Sequence, residues 1–258
     1  MSVPLLEVEG LSKTYIKRSG LFRKEEIQAV APLSFSLEAG KTLAIVGETG
    51  SGKTTVAKLL VGAEVPSTGV VKLDGEPLAL HSAQSCRTIR MIFQDPSTSL
   101  NPRVTIGRQL EEPLKLNTEL TPAQRLAKVE ATLIRVGLLA EHADYYPHMI
   151  SGGQKQRVAL ARALILNPKI LICDEALAAL DVSLRGQILN FLLEEQRKQQ
   201  LGYVFVSHNM GIVRHISDYV LVMHHGEVVE RGPTEQVFRE PKHEVTKRML
   251  MAQNLLGY

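Results

Sequence analysis

The chain has 258 residues, of which 44% are hydrophobic and 22% are charged, the composition of an ordinary soluble globular protein with a sizeable core. A net charge of +3 is too small to indicate a nucleic-acid-binding protein, and it allows contact with an acidic membrane surface without requiring it. No run reaches the roughly 18 apolar residues of a membrane helix, the start "MSVPLLEVEG" lacks the regions of a signal peptide, and Cys86 and Cys173 have no metal-binding spacing, so we expect a cytosolic chain.

The N-terminal stretch, up to Gly40, predicts antiparallel strands. Apolar and polar residues alternate in "LLEVEG" and in "LSFSLEAG", which is typical of a strand with one covered and one open face. We therefore expect an antiparallel β part ahead of the first buried strand.

A glycine-rich loop follows that strand. The continuous apolar run "LAIV" at 43–46 indicates a strand covered on both faces, as in a parallel sheet. It leads into "GETGSGKT", which fits G-x-x-x-x-G-K-[ST] between a predicted strand and a predicted helix. Backbone N–H groups of such a loop wrap phosphate oxygens, Lys53 can reach the β- and γ-phosphates, and the Thr54 hydroxyl can join a Mg²⁺ shell. The predicted nucleotide-binding residues are Gly47, Glu48, Thr49, Gly50, Ser51, Gly52, Lys53, Thr54 and Thr55.

Tyr15, in "LSKTYIKRSG", is a candidate for contact with the base of that nucleotide. Its ring offers flat apolar area that can stack on adenine without base-specific hydrogen bonds. A tyrosine that packs in the core is the alternative.

Residues 96–150 predict a helical insertion, because prolines occur around segments such as "PAQRLAKVEATLIRVGLL". Gln94 ends the apolar run of "RMIFQD" at the entrance to this insertion. Its amide can join the Mg²⁺ shell and report occupancy by a γ-phosphate to whatever the insertion contacts. A plain surface amide is the alternative.

A second anion-binding helix start is predicted in "SGGQKQRVALARALIL". Ser151 is a good N-cap, Gly152 and Gly153 leave bare backbone amides, and Gln154 begins the helix. The stretch has neither a lysine equivalent to Lys53 nor an adjacent carboxylate. It can hold a γ-phosphate without building a whole site, so another copy of the fold would supply the rest.

Two further buried strands are predicted, at 170–173 and 203–206, and they are followed by "DE" and "SH". Ligands of parallel sheets bind at the carboxyl ends of the strands, so these groups should converge with the glycine-rich loop. Asp174 is placed to orient Mg²⁺ through water, Glu175 to polarise an attacking water, and His208 to bond the γ-phosphate or the water. A salt-bridged or capping role for Glu175 and a structural role for His208 are the alternatives.

The remaining pattern predicts a helix over "LRGQILNFLLEEQRKQQ", a hairpin that turns near Gly226, and a short closing helix over 243–256. His224 and His225 fall in the hairpin turn, where we expect structural roles.

The ordered motifs resemble the nucleotide-binding domain of ABC transporters. They are "GETGSGKT", Gln94, "SGGQK", "ILICDE", "ALD" at 179–181 and His208, and the resemblance covers nearly the whole chain. It implies an α/β fold with a P-loop NTPase (RecA-like) core, an antiparallel β-subdomain and an inserted α-helical subdomain. It also implies ATP and Mg²⁺ as cofactors.

The resemblance implies a division of the chain as well. Residues 1–258 would form one nucleotide-binding domain, with the core at 1–95 and 151–240, the helical subdomain at 96–150 and a tail at 241–258. Two such domains sandwich two ATP molecules, each between one partner's phosphate loop and the other's SGGQ helix. Asp181 would couple the two sites.

The stretches "FQDPSTSLNPR", "EEPLKLN", "VGLLAEHADYYPHM" and "PKHEVTKRML" resemble the peptide-transport branch of this family. "DEALAALD", "RALILNPK" and "LVMHHGEVVERG" resemble a narrower group of peptide-transport ATP-binding subunits from Gram-negative bacteria. The family often has proline and serine where Ala176 and Ala178 stand. These small residues shape a turn, so the departure affects nothing catalytic.

The resulting hypothesis is an ATP-hydrolysing subunit of an inner-membrane transporter, peripheral on the cytoplasmic face. It would energise transport of peptides, antimicrobial peptides among them, or of polyamines. The implied partners are a paralogous ATPase subunit or a second copy, two integral membrane permease subunits and a periplasmic solute-binding protein, with no nucleic acid.

Two other hypotheses remain at this point. A soluble ABC ATPase that acts on ribosomes or DNA should show tandem ATPase domains or a long coiled coil, which this sequence does not show. The third hypothesis is a regulatory module that binds nucleotide without hydrolysing it. The presence of Glu175, the candidate for polarising the attacking water, argues against it.

Overall fold

A computed structural model describes residues 3–19, 23–80, 82–93, 99–178 and 180–255. Strands and helices are numbered separately, each in chain order. The strands are β1 (Leu6–Ser19), β2 (Arg23–Leu37), β3 (Thr42–Gly47), β4 (Thr68–Leu73), β5 (Glu76–Pro77), β6 (Ile89–Ile92), β7 (Ile170–Asp174), β8 (Gly202–Ser207), β9 (Tyr219–His224) and β10 (Glu227–Pro233). The α-helices are α1 (Lys53–Leu60), α2 (Ala83–Thr88), α3 (Ile106–Asn117), α4 (Pro122–Arg135), α5 (Gly152–Leu164), α6 (Val182–Gln199), α7 (Met210–Ile216), α8 (Thr234–Arg239) and α9 (Glu244–Leu255).

The central sheet of the described chain has the strand order β10-β9-β3-β8-β7-β6. All neighbouring pairs from β9 to β6 are parallel, whereas β10 runs antiparallel to β9. The apolar runs predicted as buried strands are confirmed as β3, β7 and β8, whose residues are all buried. Their continuous apolarity follows from coverage on both faces, since separate hydrophobic clusters pack on the two sides.

A second, antiparallel sheet has the order β2-β1-β4-β5. Its pairing of β1 with β2 confirms the antiparallel strands predicted for the stretch up to Gly40. The alternation predicted no third strand, but β4 also pairs with β1, from the far side of the glycine-rich loop and α1. Buried residues of β1 and β2, Leu6, Leu11 and Val30 among them, share one core with helix α1. This packing fixes the β part against the helix that follows the glycine-rich loop.

The predicted insertion contains α3, α4 and 3-10 turns at Ala140–Asp144 and Pro147–Met149. Pro122 stands at the first turn of α4 behind a capping box formed by Thr121 and Gln124, where its missing N–H costs nothing. Pro113, in contrast, lies inside α3. Leu110 and Leu114, both fully buried on either side of it, hold the helix in place, so burial outweighs the lost hydrogen bond.

The C-terminal part confirms the predicted hairpin and closing helix. Strands β9 and β10 pair antiparallel, with His224 opposite Glu227 and the turn at His225 and Gly226. Helix α9 then packs beside α7 and β3. None of the described helices combines the length and apolarity that crossing a bilayer requires.

Candidate nucleotide site

Three neighbouring parallel strands carry the predicted site residues to one edge of the central sheet. Val46 of β3 pairs with Ser207 of β8, and Val206 of β8 pairs with Asp174 of β7. The glycine-rich loop, Glu175 and His208 therefore follow directly from strand ends that lie side by side. This arrangement brings together residues that are far apart in sequence.

The glycine-rich loop forms a cavity of about 450 Å³ with the antiparallel sheet. Gly52 has φ +100°, and a Cβ at this position would lie 2.5 Å from the Ala29 carbonyl oxygen. Only glycine lets the chain enter α1 here. The described lining consists of Ile27, Gln28, Ala29, Gly50, Gly52, Lys53, Thr54, Thr55, His225 and Gly226. The loop, the start of α1 and the hairpin turn thus share one polar cavity.

Lys53 supplies the positive charge of this cavity. Its Nζ donates to the carbonyl oxygens of Gly47 at 2.8 Å and Glu48 at 2.7 Å. Burial lowers the pKa of Lys53, while the nearby carboxylates of Glu175, Asp174 and Glu48 act in the opposite direction. A buried ammonium facing carboxylates is a strong phosphate ligand once phosphate oxygens replace the backbone carbonyls.

Thr54 and Asp174 place two oxygen ligands next to each other. The Thr54 hydroxyl donates to Asp174 Oδ1 at 3.3 Å. Burial raises the pKa of Asp174, and the Thr54 hydrogen bond acts against this rise. A hydroxyl and a carboxylate beside a phosphate cavity are the donors that Mg²⁺ prefers. No cluster of three or more His, Cys, Asp or Glu side chains suited to a metal occurs in the described residues.

The backbone of Glu175 has an unusual conformation, which directs its side chain away from that of Asp174. It has φ +48°, which a non-glycine residue adopts only where its surroundings enforce it. Its N–H donates to the Val206 carbonyl at 3.0 Å, and its Oε1 lies 3.1 Å from His208 Nδ1. Asp174 therefore remains buried at the end of β7, whereas the Glu175 side chain turns toward β8 and pairs with His208.

Gln156, which is not among the site residues predicted from the sequence, also contacts this turn. Its side chain is 1% exposed, and its Nε2 donates to the Ala176 carbonyl at 2.7 Å. Helix α5 is thereby tied to the residue that follows Glu175. The signal was present, since Gln156 shares a helical face with Leu160 and Leu164, which marks a buried position.

The predicted second anion-binding start is the N-terminus of α5. The Ser151 hydroxyl accepts from Gln154 N–H at 3.3 Å, and Gln154 Oε1 accepts from Ser151 N–H at 2.9 Å, a complete capping box. Ser151 and Gly152 are exposed. The described lining of the Lys53 cavity contains neither residue, so this helix start is not part of that cavity.

The structure places the other predicted residues as follows. Asp181 caps α6, with its side chain accepting from Leu184 N–H at 2.9 Å. Tyr15 is 37% exposed, which argues against a core role, and it pairs across the strand with Ile27 of the cavity lining. Gln94 lies outside the described residues. His225, expected to be structural, lines the cavity beside Lys53.

Comparison with known proteins agrees with this geometry. The family model described as "ABC transporter" matches residues 30–178. The chain is 56% identical over 248 residues to the "Putrescine export system ATP-binding protein SapF" of Escherichia coli K12, covering 95% of this chain and 92% of that protein. It is 45% identical over 254 residues to the "Dipeptide transport ATP-binding protein DppF" of the same strain, covering 96% of this chain and 76% of DppF.

Solved structures give the same result. The CbiO1 protein of Clostridium perfringens, part of the ABC transporter complex CbiONQ, aligns with a TM-score of 0.77 at 28% identity over 99% of both chains. The ATP-binding cassette MJ0796, in a dimeric post-hydrolysis state bound to ADP and Pi, aligns with a TM-score of 0.77 at 26% identity, covering 89% of this chain and 98% of that one.

The predicted peptide-transport branch and its narrower Gram-negative group are both confirmed by these relatives. The chain belongs to the ABC transporter family, as an ATP-binding and ATP-hydrolysing subunit.

Proposed function

We propose that this chain hydrolyses Mg²⁺-ATP in the Lys53 cavity to energise transport of a peptide or a polyamine across the inner membrane. The observation that carries the proposal is the meeting of Lys53, Asp174, Glu175 and His208 at one edge of the sheet. The cargo classes come from relatives, whose names specify putrescine export, peptide transport and dipeptide transport.

Binding would depend on the loop and on the start of α1. Backbone N–H groups of Gly50, Gly52 and Thr54 would surround the β-phosphate, and the Lys53 ammonium would reach the β- and γ-phosphates. The Thr54 hydroxyl and the Asp174 carboxylate, with Gln94, would hold the Mg²⁺. Bound there, the cation supplies charge neutralisation for the phosphates and the leaving group. Tyr15 would stack on the base.

Hydrolysis would use the carboxylate of Glu175 as the general base. It would accept a proton from the attacking water, which it can approach because its side chain is turned away from the buried Asp174. His208, 3.1 Å from Glu175 Oε1, would orient that carboxylate and bond the γ-phosphate or the water. Burial raises the pKa of Asp174 in the free chain, which fits a residue that gains a cation on binding.

The helix start at Ser151 would serve a nucleotide held by a partner. It is exposed, capped and outside the described lining of the Lys53 cavity. A paralogous ATPase subunit or a second copy of the chain would supply the other half of each site. Asp181, at the start of α6, would lie between the two nucleotides.

A groove beside the helical insertion would receive the permease subunits. It measures about 760 Å³, and its lining includes Arg90, Arg108, Glu112, Leu116 and Arg162. Burial lowers the pKa of both Arg90 and Arg162, and among the described residues neither guanidinium pairs with a carboxylate. A permease loop with an apolar side chain for the exposed Leu116 and a carboxylate for these arginines would fit.

Such docking would place the chain on the cytoplasmic face of the inner membrane, with two permease subunits and a periplasmic solute-binding protein. The test is purification from solubilised membranes through a tag on the intact chain. We expect integral membrane subunits to accompany it, and ATPase activity of the complex to rise with putrescine or with short peptides.

A matched pair of charge reversals locates the contact. Arg108→Glu, exposed in the groove, should lower recovery of the membrane subunits, whereas Arg197→Glu, exposed on α6 outside it, should not. Recovery of ribosomes or DNA in place of membrane subunits would contradict the proposal.

A further inference from the structure

The carboxamide of Gln154 is engaged at both of its ends. Its Oε1 accepts from Ser151 N–H at 2.9 Å, as half of the capping box. Its Nε2 lies 3.2 Å from Nε2 of His142, which belongs to the 3-10 turn Ala140–Asp144. The first residues of α5 are thus joined to the helical insertion through one side chain.

His142 is itself held firmly. It is 7% exposed, and its ring centroid lies 5.0 Å from that of Tyr145. Its Nδ1 lies 3.0 Å from Leu139 N, whose N–H points at it, and 3.2 Å from Leu139 O. With both ring nitrogens in hydrogen-bond contact, the imidazole has little freedom to rotate.

The donors and acceptors of this network favour one arrangement, although no neutral ring can satisfy all of its contacts at once. Ser151 N–H needs the oxygen of the Gln154 carboxamide, which directs its NH₂ group at His142. The ring must then accept at Nε2, so the proton lies on Nδ1 and is donated to the Leu139 carbonyl, while the N–H of Leu139, an exposed residue, loses Nδ1 as its acceptor. The other tautomer would let Nδ1 accept from the Leu139 N–H, but it sets a ring N–H against the NH₂ group of Gln154, so that two donors face each other. A flipped carboxamide would instead set that NH₂ group against Ser151 N–H.

We infer that His142 is a positioning residue for the α5 helix start, because its neutral Nε2 accepts from Gln154 and keeps the carboxamide over Ser151 N–H. The inference rests on the proposed function of that start, which is to meet a nucleotide held by a partner.

The first turn of this helix start is unpacked on the side of Gly152. A Cβ at Gly152 would meet no atom within 4 Å, so the turn is open on that side. Gly153, in contrast, packs against Leu184, whose Cδ2 would lie 2.8 Å from a Cβ at this position. Glycine also disfavours the ordered helical conformation. Without an acceptor at position 142 the Gln154 carboxamide can rotate, and the amides of Ser151 and Gly152 lose their fixed direction.

The test compares His142→Ala, His142→Gln and the control His148→Ala in the complex purified through this chain. Glutamine places an acceptor oxygen near the position of the imidazole Nε2, whereas alanine places none. His148 is exposed in the same segment and stacks on Tyr146. Loss of one hydrogen bond predicts a fall in kcat of about 3- to 10-fold for His142→Ala. We expect recovery of most of that loss in His142→Gln and no change in His148→Ala.

Equilibrium ATP binding to the isolated chain should be the same for all three variants. A ¹⁵N NMR spectrum of the unsubstituted chain should show His142 protonated at Nδ1 and unprotonated at Nε2. A proton on Nε2 would overturn the inference, even if His142→Ala proved too unstable to assay. Parental turnover in His142→Ala would overturn it too, as would a glutamine variant as slow as the alanine variant at equal thermal stability.

Ser151→Arg in the same complex separates the role inferred for His142 from the role proposed for the helix start. If Ser151→Arg lowers turnover and His142→Ala does not, this inference alone fails. If Ser151→Arg leaves turnover unchanged, the proposed function of the helix start is wrong, and the inference on His142 that rests on it falls as well.

Discussion

Glu175 and His208 form a direct pair, with His208 Nδ1 3.1 Å from Glu175 Oε1. The two residues are 33 positions apart and follow the ends of adjacent parallel strands. The pair depends on the left-handed backbone of Glu175, which carries its side chain away from Asp174 and toward β8. Each residue therefore has a chemical role that can be tested separately.

Glu175→Gln should lower turnover by roughly 10²–10⁴-fold while ATP still binds, because the amide keeps the shape of the side chain but cannot accept the proton of the attacking water. Steady-state phosphate release and equilibrium ATP binding measure the two effects. Blocked hydrolysis should also let ATP-bound closed dimers accumulate, which size-exclusion chromatography would detect.

The control for this substitution is Glu194→Gln, on the exposed side of α6, where the carboxylate pairs with Lys198 at the surface. It should turn over ATP at the parental rate. If Glu175→Gln also does so, Glu175 is not the base, and His208 becomes the better candidate.

Lys53→Ala should weaken ATP binding by at least about 10- to 100-fold, since charge-assisted hydrogen bonds to the phosphates are lost. Binding of a fluorescent ATP analogue measures this loss, and Lys198→Ala on the exposed end of α6 is the matched control.

The fold should survive that substitution, because the pKa of Lys53 is lowered by burial. A lysine whose folded-state pKa is below its unfolded value makes the chain less stable at neutral pH. This loss of stability is relieved as the pH rises through that lowered pKa, because the buried lysine then becomes neutral. The thermal midpoint of Lys53→Ala should therefore match or exceed that of the parent. Unchanged ATP affinity would remove the loop from the site.

The sequence predicted the strand ends correctly because their signals are local. A continuous apolar run predicts a strand covered on both faces, and the polar group that follows it must then lie at the sheet edge. "GETGSGKT", Asp174 and His208 were found in this way. Spacing alone could not show which strands are neighbours, and the order β3-β8-β7 decides that Glu175 meets His208.

Other contacts could not be predicted because they depend on tertiary packing. The hairpin turn that brings His225 to the Lys53 cavity is held by residues distant in sequence, since the Gly226 N–H donates to the Ser51 carbonyl at 3.1 Å and the Gly226 carbonyl accepts from Ala31 N–H at 2.8 Å. Pro113 signals a helix end in sequence, yet α3 continues through it where Leu110 and Leu114 are buried. The local sequence pattern contains no information on the position of the hairpin turn or on the burial that keeps α3 continuous.

The two cysteines should differ sharply in reactivity. Cys173 lies in β7 and is buried, and burial raises its pKa to about 12, so the reactive thiolate is almost absent at neutral pH. Cys86 is exposed. A chromogenic thiol reagent should modify Cys86 in the native chain and Cys173 only after unfolding. Prompt reaction of both thiols in the native chain would contradict the placement of β7 in the core.

The helix start at Ser151 provides the most direct test of a shared site. Ser151→Arg should leave ATP binding to the isolated chain unchanged, because Lys53 and the amides around it are untouched. A bulky side chain would block the N-terminus of α5 from a partner's γ-phosphate and so prevent closure. ATPase activity of the assembled complex should therefore fall, by about 10-fold or more if the amides at this start stabilise the transition state as other oxyanion-binding donors do.

The measurement is a pair: equilibrium ATP binding by the isolated variant, and steady-state hydrolysis by the complex built with it. Ala123→Arg is the matched control, since Ala123 is also exposed in the first turn of a helix, α4, and has no proposed contact with nucleotide. A site that acts within one chain predicts the opposite order, with binding by the isolated chain failing first. Loss of that binding without a change in thermal stability would refute the shared site, because nothing in the described lining of the Lys53 cavity belongs to α5.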